Sequence, residues 1–136
     1  MAVNSTTILS LQSHPGDSSA QSVEGEKYKG DGYYSRADGL HTVQISLSDF
    51  VGTIEIQGSL ETNPGDTDWF NIKLGRDSDK TVDTTGKFVN STVSEITHVA
   101  QETSATIYNF IGNFVWVRAL ASDWTEGNIN SIKLNH

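Results

Sequence analysis

Residues 42–60 read TVQISLSDFVGTIEIQGSL, and their apolar and polar side chains alternate almost without a break. Val43, Ile45 and Leu47 fall on one face of an extended chain, and Ile54 and Ile56 repeat the pattern further along. A period of two residues is typical of a strand that packs one face against a core. The segment therefore predicts two strands of an antiparallel sheet, joined by a short loop.

The remaining chain also indicates strands and turns. The turn sequence NPGD (63–66) precedes an alternating strand at 68–74, and residues 105–111 and 114–120 flank Gly112-Asn113 in a pattern that predicts a second hairpin. A last strand is predicted at 128–134, and residues 75–94 are predicted to be mostly loop. With no ten-residue stretch of helical period, the sequence predicts an all-β protein, an antiparallel β-sandwich or jelly roll of about seven or eight short strands.

A chain of 136 residues is long enough for one domain with a real core. We divide it into an N-terminal arm or edge strand plus loop at 1–24 and a single β-sandwich domain at 25–136. The arm, with residues 4–21 as its docking part, either pairs with a neighbouring chain or forms an ordinary edge strand. On the first reading, deleting residues 2–21 leaves the sandwich folded.

Composition excludes several classes of function. The formal net charge of −8 repels a nucleic-acid backbone, so no nucleic-acid partner is expected. The absence of cysteine excludes disulfides, thiol catalysis and thiolate metal sites. The N-terminus lacks a basic segment followed by an apolar run, and no 18 consecutive residues are apolar. We expect a soluble, unprocessed chain with no membrane partner.

No motif indicates catalysis. The four histidines lack ligand spacing, and there is no Gly-x-Ser-x-Gly elbow, so we predict no catalytic residues and no enzyme activity. Asp77, Asp79 and Asp83 offer oxygen ligands for calcium, but Arg76 and Lys80 lie between or beside them. A solvated loop is favoured over a calcium site, and we predict no metal and no cofactor.

Four aromatic residues are the candidates for contacts with a partner. They are Tyr33, Tyr34, Trp69 and Trp124, chosen for their aromatic character and polar surroundings alone. Aromatic faces on a sandwich either stack on sugar rings, anchor a protein interface or pack in the core. The sequence leaves these three interpretations open.

Several segments resemble small virion structural proteins of tailed bacteriophages, especially marine ones. They are KGDGYY (29–34), DGLHTVQ (38–44), GTIEIQGSL (52–60), DWF (68–70), GNFVWVRA (112–119) and GNINSIKLN (127–135). The resemblance implies a β-sandwich that acts by assembly, and it provides no active site to carry over.

On this basis the expected function is that of a capsid decoration (cement) protein, which bridges neighbouring capsid subunits on the outer head surface. Its partners would be the major capsid protein or other virion proteins, and it would be a homo-oligomer or present in many copies. Its expected location is the virion, assembled in the host cytoplasm. A neck, tail or fibre component is one alternative, and a carbohydrate-binding β-sandwich module is another.

Overall fold

The computed structural model describes residues 5–17, 19–35, 38–82, 85 and 88–136, and these contain strands and no helix. The strands are β1 (Thr6–Leu9), β2 (Gln12–Ser13), β3 (Gln21–Glu24), β4 (Tyr28–Lys29), β5 (Leu40–Ser59), β6 (Phe70–Asn71), β7 (Leu74–Val82), β8 (Phe88–Val93), β9 (Ile96–Ile111) and β10 (Trp116–Asn135). All pairings between them are antiparallel, in the order β1-β10-β5-β9-β7-β8, with β2, β3 and β4 on β10 and β6 on β5. The all-β prediction is confirmed.

The central strand β5 folds back on itself. Its first residue, Leu40, lies beside Ile111, and its last, Ser59, lies beside Trp116. The five chain steps from 111 to 116 reach at most about 20 Å. A straight strand of this length would separate Leu40 from Ser59 by about 60 Å, so β5 must bend sharply.

Both neighbours of β5 bend with it, which converts one sheet into two layers. In the first layer, residues 40–48 of β5 pair with 104–111 of β9 and 128–135 of β10, and β1 and β2 extend this layer. In the second layer, residues 53–59 of β5 pair with 116–122 of β10, and residues 52–54 of β5 pair with 96–98 of β9. Strands β3, β4 and β6 lie at the margins of this layer. The result is a β-sandwich.

The bends of β5 and β10 are built alike. Asp49 and Asp123 both have positive φ, at 53° and 49°, and each precedes an aromatic residue that enters the core, Phe50 and Trp124. Asparagine and aspartate tolerate this left-handed conformation better than other non-glycine residues. Each bend also shifts the strand register.

The core lies between the two layers and consists of the side chains that point inward from each alternating strand. Arg118 lies between buried Val117 and Ala119 in the chain, and its side chain points to the outer side of the second layer. The buried apolar side chains include Val43, Ile45, Leu47, Phe50, Ile54, Ile56, Val117, Ala119, Ala121, Trp124, Ile129, Ile132 and Leu134.

The structure corrects several local predictions. Residues 42–59 belong to one bent strand, not to two strands joined by a loop. The strands on either side of Gly112-Asn113 do not form a hairpin, because β5 lies between them. Much of the predicted loop at 75–94 belongs to β7 and β8. The described residues form ten strands, three of them 16 to 20 residues long, instead of seven or eight short ones.

The N-terminal segment packs on its own chain. β1 pairs with the end of β10 in the first layer, and Ile8 and Leu9 are 2 % and 6 % exposed. β3 pairs with β10 in the second layer. The described strands of this segment, β1, β2 and β3, therefore all pair with β10 of the same chain.

Candidate functional site

The structure separates the four predicted contact residues. Tyr33 and Tyr34 lie in the turn after β4 and are 45 % and 47 % exposed. Trp69 is half-buried ahead of β6. Trp124 is only 2 % exposed, and its indole N–H donates to the carbonyl of Glu126 at 3.0 Å. We therefore place Trp124 in the core and do not retain it as a surface contact.

An aromatic cluster forms around the two exposed tyrosines. The ring of Tyr33 lies 5.4 Å from that of Tyr34 and 5.3 Å from that of Trp116. Tyr34 also stacks on His136 with 5.7 Å between centroids. Trp116 and His136 are not among the residues predicted from the sequence, because they come from the two ends of β10, about twenty residues apart in the chain.

Two glycines hold the tyrosine-bearing turn against the start of β10. The N–H of Gly30 donates to the carbonyl of Val115, and the N–H of Gly32 donates to that of Phe114 at 2.9 Å. A Cβ atom on either glycine would overlap the Phe114 or Asn113 carbonyl. The close approach of the backbone at these two glycines to the segment before β10 thus positions Tyr33 and Tyr34 beside Trp116.

Lysines flank this cluster and complete a groove between β1 and β4. Lys27 Nζ lies 4.5 Å from the Trp116 ring centroid, and Lys29 Nζ lies 4.5 Å from that of Tyr33. The groove has a volume of about 240 Å³. We call it the aromatic–lysine groove, and its lining consists of Thr6, Lys27, Tyr28, Lys29, Tyr34, Trp116, Leu134 and His136.

A buried hydrogen-bond network lies beneath this turn. His41 is fully buried; its Nδ1 lies 2.8 Å from the Gly39 carbonyl, and its Nε2 accepts from the backbone N–H of Asp31 at 3.2 Å. Desolvation by burial lowers the pKa of His41 below its usual range, while the Gly39 carbonyl and the charge of Asp31 act in the opposite direction. Asp31 also contacts His136 Nδ1 at 2.9 Å.

Arg118 and Trp69 form a second cluster on the outer side of the second layer. The guanidinium carbon lies 4.3 Å from the Trp69 centroid, Nε donates to Gln57 Oε1 at 2.9 Å, and Nη1 donates to Glu24. These contacts provide the partner that a nearly buried arginine requires. The adjacent groove of about 580 Å³ is lined by Glu24, Glu26 and Asp66, and it shares Lys27 with the aromatic–lysine groove.

The outward-facing side chains of β5, β9 and β10 in the first layer carry no carboxylate among the described residues. We call this surface the first-layer face. Its members are Leu40, Thr42, Gln44, Ser46, Ser48, Ala105, Ile107, Asn109, Ile111, Ser131, Lys133 and Asn135. Leu40 and Ile111 are opposite each other, at 52 % and 78 % exposure, and Ile107 is 54 % exposed. A groove of about 430 Å³ runs from Leu40 and Ile111 towards Lys73 and Thr92.

The outer edge of β9 is open beside this face. In the described part of the chain, β9 pairs with β7 at Gly75 and Asn109, and its edge from 96 to 107 is left for other contacts. Between the two halves of bent β9, a pocket of about 280 Å³ reaches Ile45 and Leu47. The His98 imidazole and the Glu102 carboxylate lie 3.5 Å apart at its rim.

The described residues contain no group of three or more His, Asp or Glu side chains arranged to hold a metal ion. Asp77 and Asp79 of the considered calcium loop have side chains outside those that the structure describes, and Asp83 lies outside the described residues altogether. Within the same described ranges, no helix is long and apolar enough to span a membrane.

The fold is that of an antiparallel β-sandwich, and comparison with known proteins places it beside a phage-derived structure. No family model and no curated protein matches the chain. The crystal structure of SPBc2 prophage-derived protein YomS is similar over 96 % of this chain and 88 % of its own, with a TM-score of 0.54 and 16 % identity. A family 29 carbohydrate-binding module from Piromyces equi, CBM29_1, covers 97 % of this chain and 90 % of its own at a TM-score of 0.37 and 10 % identity.

Proposed function

We propose that the chain is a structural protein of a tailed-phage virion, and that it decorates the capsid by bridging neighbouring subunits on the outer head surface. It shares its fold with a prophage-derived protein. The resemblance of its sequence segments to small virion proteins points in the same direction. Both considerations favour assembly over catalysis.

The observation that carries the proposal is the first-layer face. The chain has 17 acidic residues and a net charge of −8, yet no described carboxylate points outward from the three strands of this face. Desolvating a carboxylate at an interface is costly unless it is paired. A broad sheet surface free of carboxylates is therefore the part of the molecule that can approach another protein at the smallest electrostatic cost.

Exposed apolar side chains give this face its binding energy. Leu40, Ile107 and Ile111 lie on adjacent strands, and each leaves more than half of its side chain in solvent. Leu40 and Ile111 form a small apolar patch, and Ile107 lies four residues along β9, beyond Asn109. Exposed apolar side chains rimmed by polar residues are typical of an interaction site. A few such anchors supply most of the free energy of a protein interface, and repetition around a particle adds avidity.

The open edge of β9, which lies beside the first-layer face, offers a second mode of contact with a partner. An extended segment of a neighbouring subunit can pair with an exposed edge through its backbone, while its side chains enter adjacent pockets. The pocket that reaches Ile45 and Leu47 lies directly behind this edge. The face and the edge together form a continuous docking surface.

A neck, tail or fibre position is the alternative, because a carboxylate-free face suits any neighbouring virion protein. Sedimentation separates the two. The purified chain is characterised by size-exclusion chromatography with light scattering, then mixed with separated heads and tails of the phage that encodes it and pelleted. Pelleting with heads supports decoration. Pelleting with tails alone would indicate a neck or tail position. Pelleting with neither would contradict a virion role.

A matched pair of variants tests the face itself. Ile107→Lys places a charge on the first-layer face, whereas Leu60→Lys makes a similar change just after β5 in the second layer, away from the face and the β9 edge, where Leu60 is 71 % exposed. We expect Ile107→Lys to reduce particle binding by at least about tenfold, a typical effect for an interface anchor. Leu60→Lys should bind as the unmodified chain does. Equal binding by both variants would place the contact elsewhere.

A further inference from the structure

The aromatic–lysine groove concentrates positive charge on an acidic protein. Its described lining includes Lys27 and Lys29 and no aspartate or glutamate, although acidic residues outnumber basic ones 17 to 9 in the chain. The neighbouring groove at Arg118 is different, because three carboxylates line it. Since Arg118 and Lys27 offset only part of that negative charge, an anionic group is better accommodated in the first groove than in the second.

The two lysines are held at the groove by aromatic rings. Each ammonium lies 4.5 Å from a ring centroid, Lys27 over Trp116 and Lys29 over Tyr33. Cation–π contact of this kind limits the freedom of an otherwise mobile side chain. Lys27 and Lys29 are also two residues apart, so in an extended segment they leave the backbone on the same side. One carboxylate can then accept hydrogen bonds from both.

The groove also supplies apolar surface for a ring. Tyr34 is 47 % exposed and Trp116 is half-buried, and both line the groove with Leu134 at its base. Aromatic side chains present flat apolar faces, and tyrosine adds a polar tip. The volume of about 240 Å³ is below the roughly 300–1,000 Å³ of sites for drug-sized ligands. It suits a single ring.

We propose that this groove binds an acidic saccharide unit, such as a uronic acid, with its ring against the exposed Tyr34 ring and its carboxylate between Lys27 and Lys29. A pyranose ring has one face of C–H groups, which packs on an aromatic surface, and hydroxyl groups that remain hydrated. A long polyanion is disfavoured, because the net charge of −8 acts on every one of its charges. A ligand with one carboxylate in the groove avoids most of that repulsion.

The position of the groove keeps this binding separate from particle docking. It lies at β1 and β4, on the β10 side of the strand order, whereas Ile107, Ile111 and the open edge belong to β9 on the other side of β5. Both surfaces can thus be occupied at once. The saccharide proposal does not depend on the virion proposal, and either can fail alone.

The test uses the full chain and trigalacturonic acid as the probe, followed by isothermal titration calorimetry and tryptophan fluorescence. The fully methyl-esterified trisaccharide is the control that keeps the rings and removes the charges. A triglutamate peptide keeps the carboxylates and removes the rings. We expect saturable binding of the acid, with the ester and the peptide each at least about tenfold weaker, since a charge-assisted hydrogen bond is lost in one and the stacked ring in the other.

Variants connect the binding to the groove. Lys27→Met with Lys29→Met keeps much of the aliphatic stems and removes both charges, and Lys133→Met makes the same change on the first-layer face. The double variant should lose at least about tenfold in affinity and Lys133→Met should lose none, with melting curves recorded for both. No saturable binding of the acid, equal binding of the ester, or equal binding of the peptide would each overturn the proposal. The two probe comparisons on the unmodified chain decide it even if the double variant fails to fold.

Discussion

Phe50 and Trp124 stack on each other at the point where the two central strands fold back, with 6.4 Å between their ring centroids. Each follows an aspartate of positive φ, and the two rings are 0 % and 2 % exposed. The pair fills the end of the core where the first layer continues into the second. β5 and β10 both turn around this contact, so it packs the junction between the two layers.

Trp124→Ala should therefore destabilise the protein strongly. Loss of a fully buried tryptophan leaves a large cavity, and we expect the free energy of unfolding to fall by about 3–5 kcal/mol. Trp69→Ala is the control, because Trp69 is half-buried on the outer surface against Arg118, and it should cost about 1–2 kcal/mol. Urea unfolding followed by far-UV circular dichroism measures both. A smaller loss for Trp124→Ala than for Trp69→Ala would contradict the assignment of Trp124 to the core.

The N-terminal strand offers a second test, since it decides whether this segment is an arm or part of the sandwich. Ile8 is 2 % exposed, so Ile8→Ala should lower the free energy of unfolding by about 2–4 kcal/mol. Leu11, three residues on, is 61 % exposed, and Leu11→Ala should change it by less than about 0.5 kcal/mol. For the same reason, deletion of residues 2–21 should unfold or strongly destabilise the chain. A deleted chain of unchanged stability would restore the arm interpretation.

The sequence contains the alternation that assigns residues to faces, and that part of the fold is predictable. Val43, Ile45, Leu47, Ile54 and Ile56 are all buried as the period of two requires. Periodicity does not identify the strand that pairs with each edge. The apparent hairpin around Gly112-Asn113 illustrates this, because short connections usually join adjacent strands and here they join strands on either side of β5.

The fold-back was missed for a different reason. An interruption between two alternating segments resembles a loop, and a bulged strand that continues through a bend has the same local pattern. The repeated signal is an aspartate followed by an aromatic residue and, three or four residues after the aspartate, a glycine: DFVG at 49–52 and DWTEG at 123–127. The same signal accounts for the burial of Trp124. The aromatic–lysine groove was not predictable, since it joins residues from β1, β4 and both ends of β10.

His41 should make stability depend on pH. Its Nε2 accepts a hydrogen bond from Asp31 and its Nδ1–H donates to Gly39, an arrangement that needs the neutral ring. Burial lowers the folded-state pKa of His41 below the ordinary 6.5, and the charge of His136 also lowers it. The charges of Asp31 and Asp38 act in the opposite direction. The unfolded state then binds the proton first. Stability contributed by His41 is complete above about pH 6.5 and declines as the pH falls towards the lower folded-state value.

Free energies of unfolding measured from pH 8 to pH 5 test this dependence on ionisation. His41→Gln removes the titrating group, so its slope over the acid half of the range should be smaller than that of the unmodified chain. His98→Gln is the control, because His98 lies at the opposite end of the sandwich beside Glu102, and it should keep the His41 component. An unchanged slope in His41→Gln would show that another group carries the acid sensitivity.

Gly16 and Gly127 allow the cost of backbone strain to be separated from the cost of steric overlap. Both have φ of +84°, a conformation that disfavours any residue with a Cβ atom. Around Gly16 there is open space, whereas a Cβ on Gly127 would overlap the carbonyl of Asp49 across the bend. Gly16→Ala should thus cost about 1 kcal/mol from strain alone. Gly127→Ala should cost at least about 2 kcal/mol more, because β5 and β10 must separate there. Chemical denaturation of the two variants gives the comparison directly, and equal losses would mean that the two strands do not approach each other as closely at this bend.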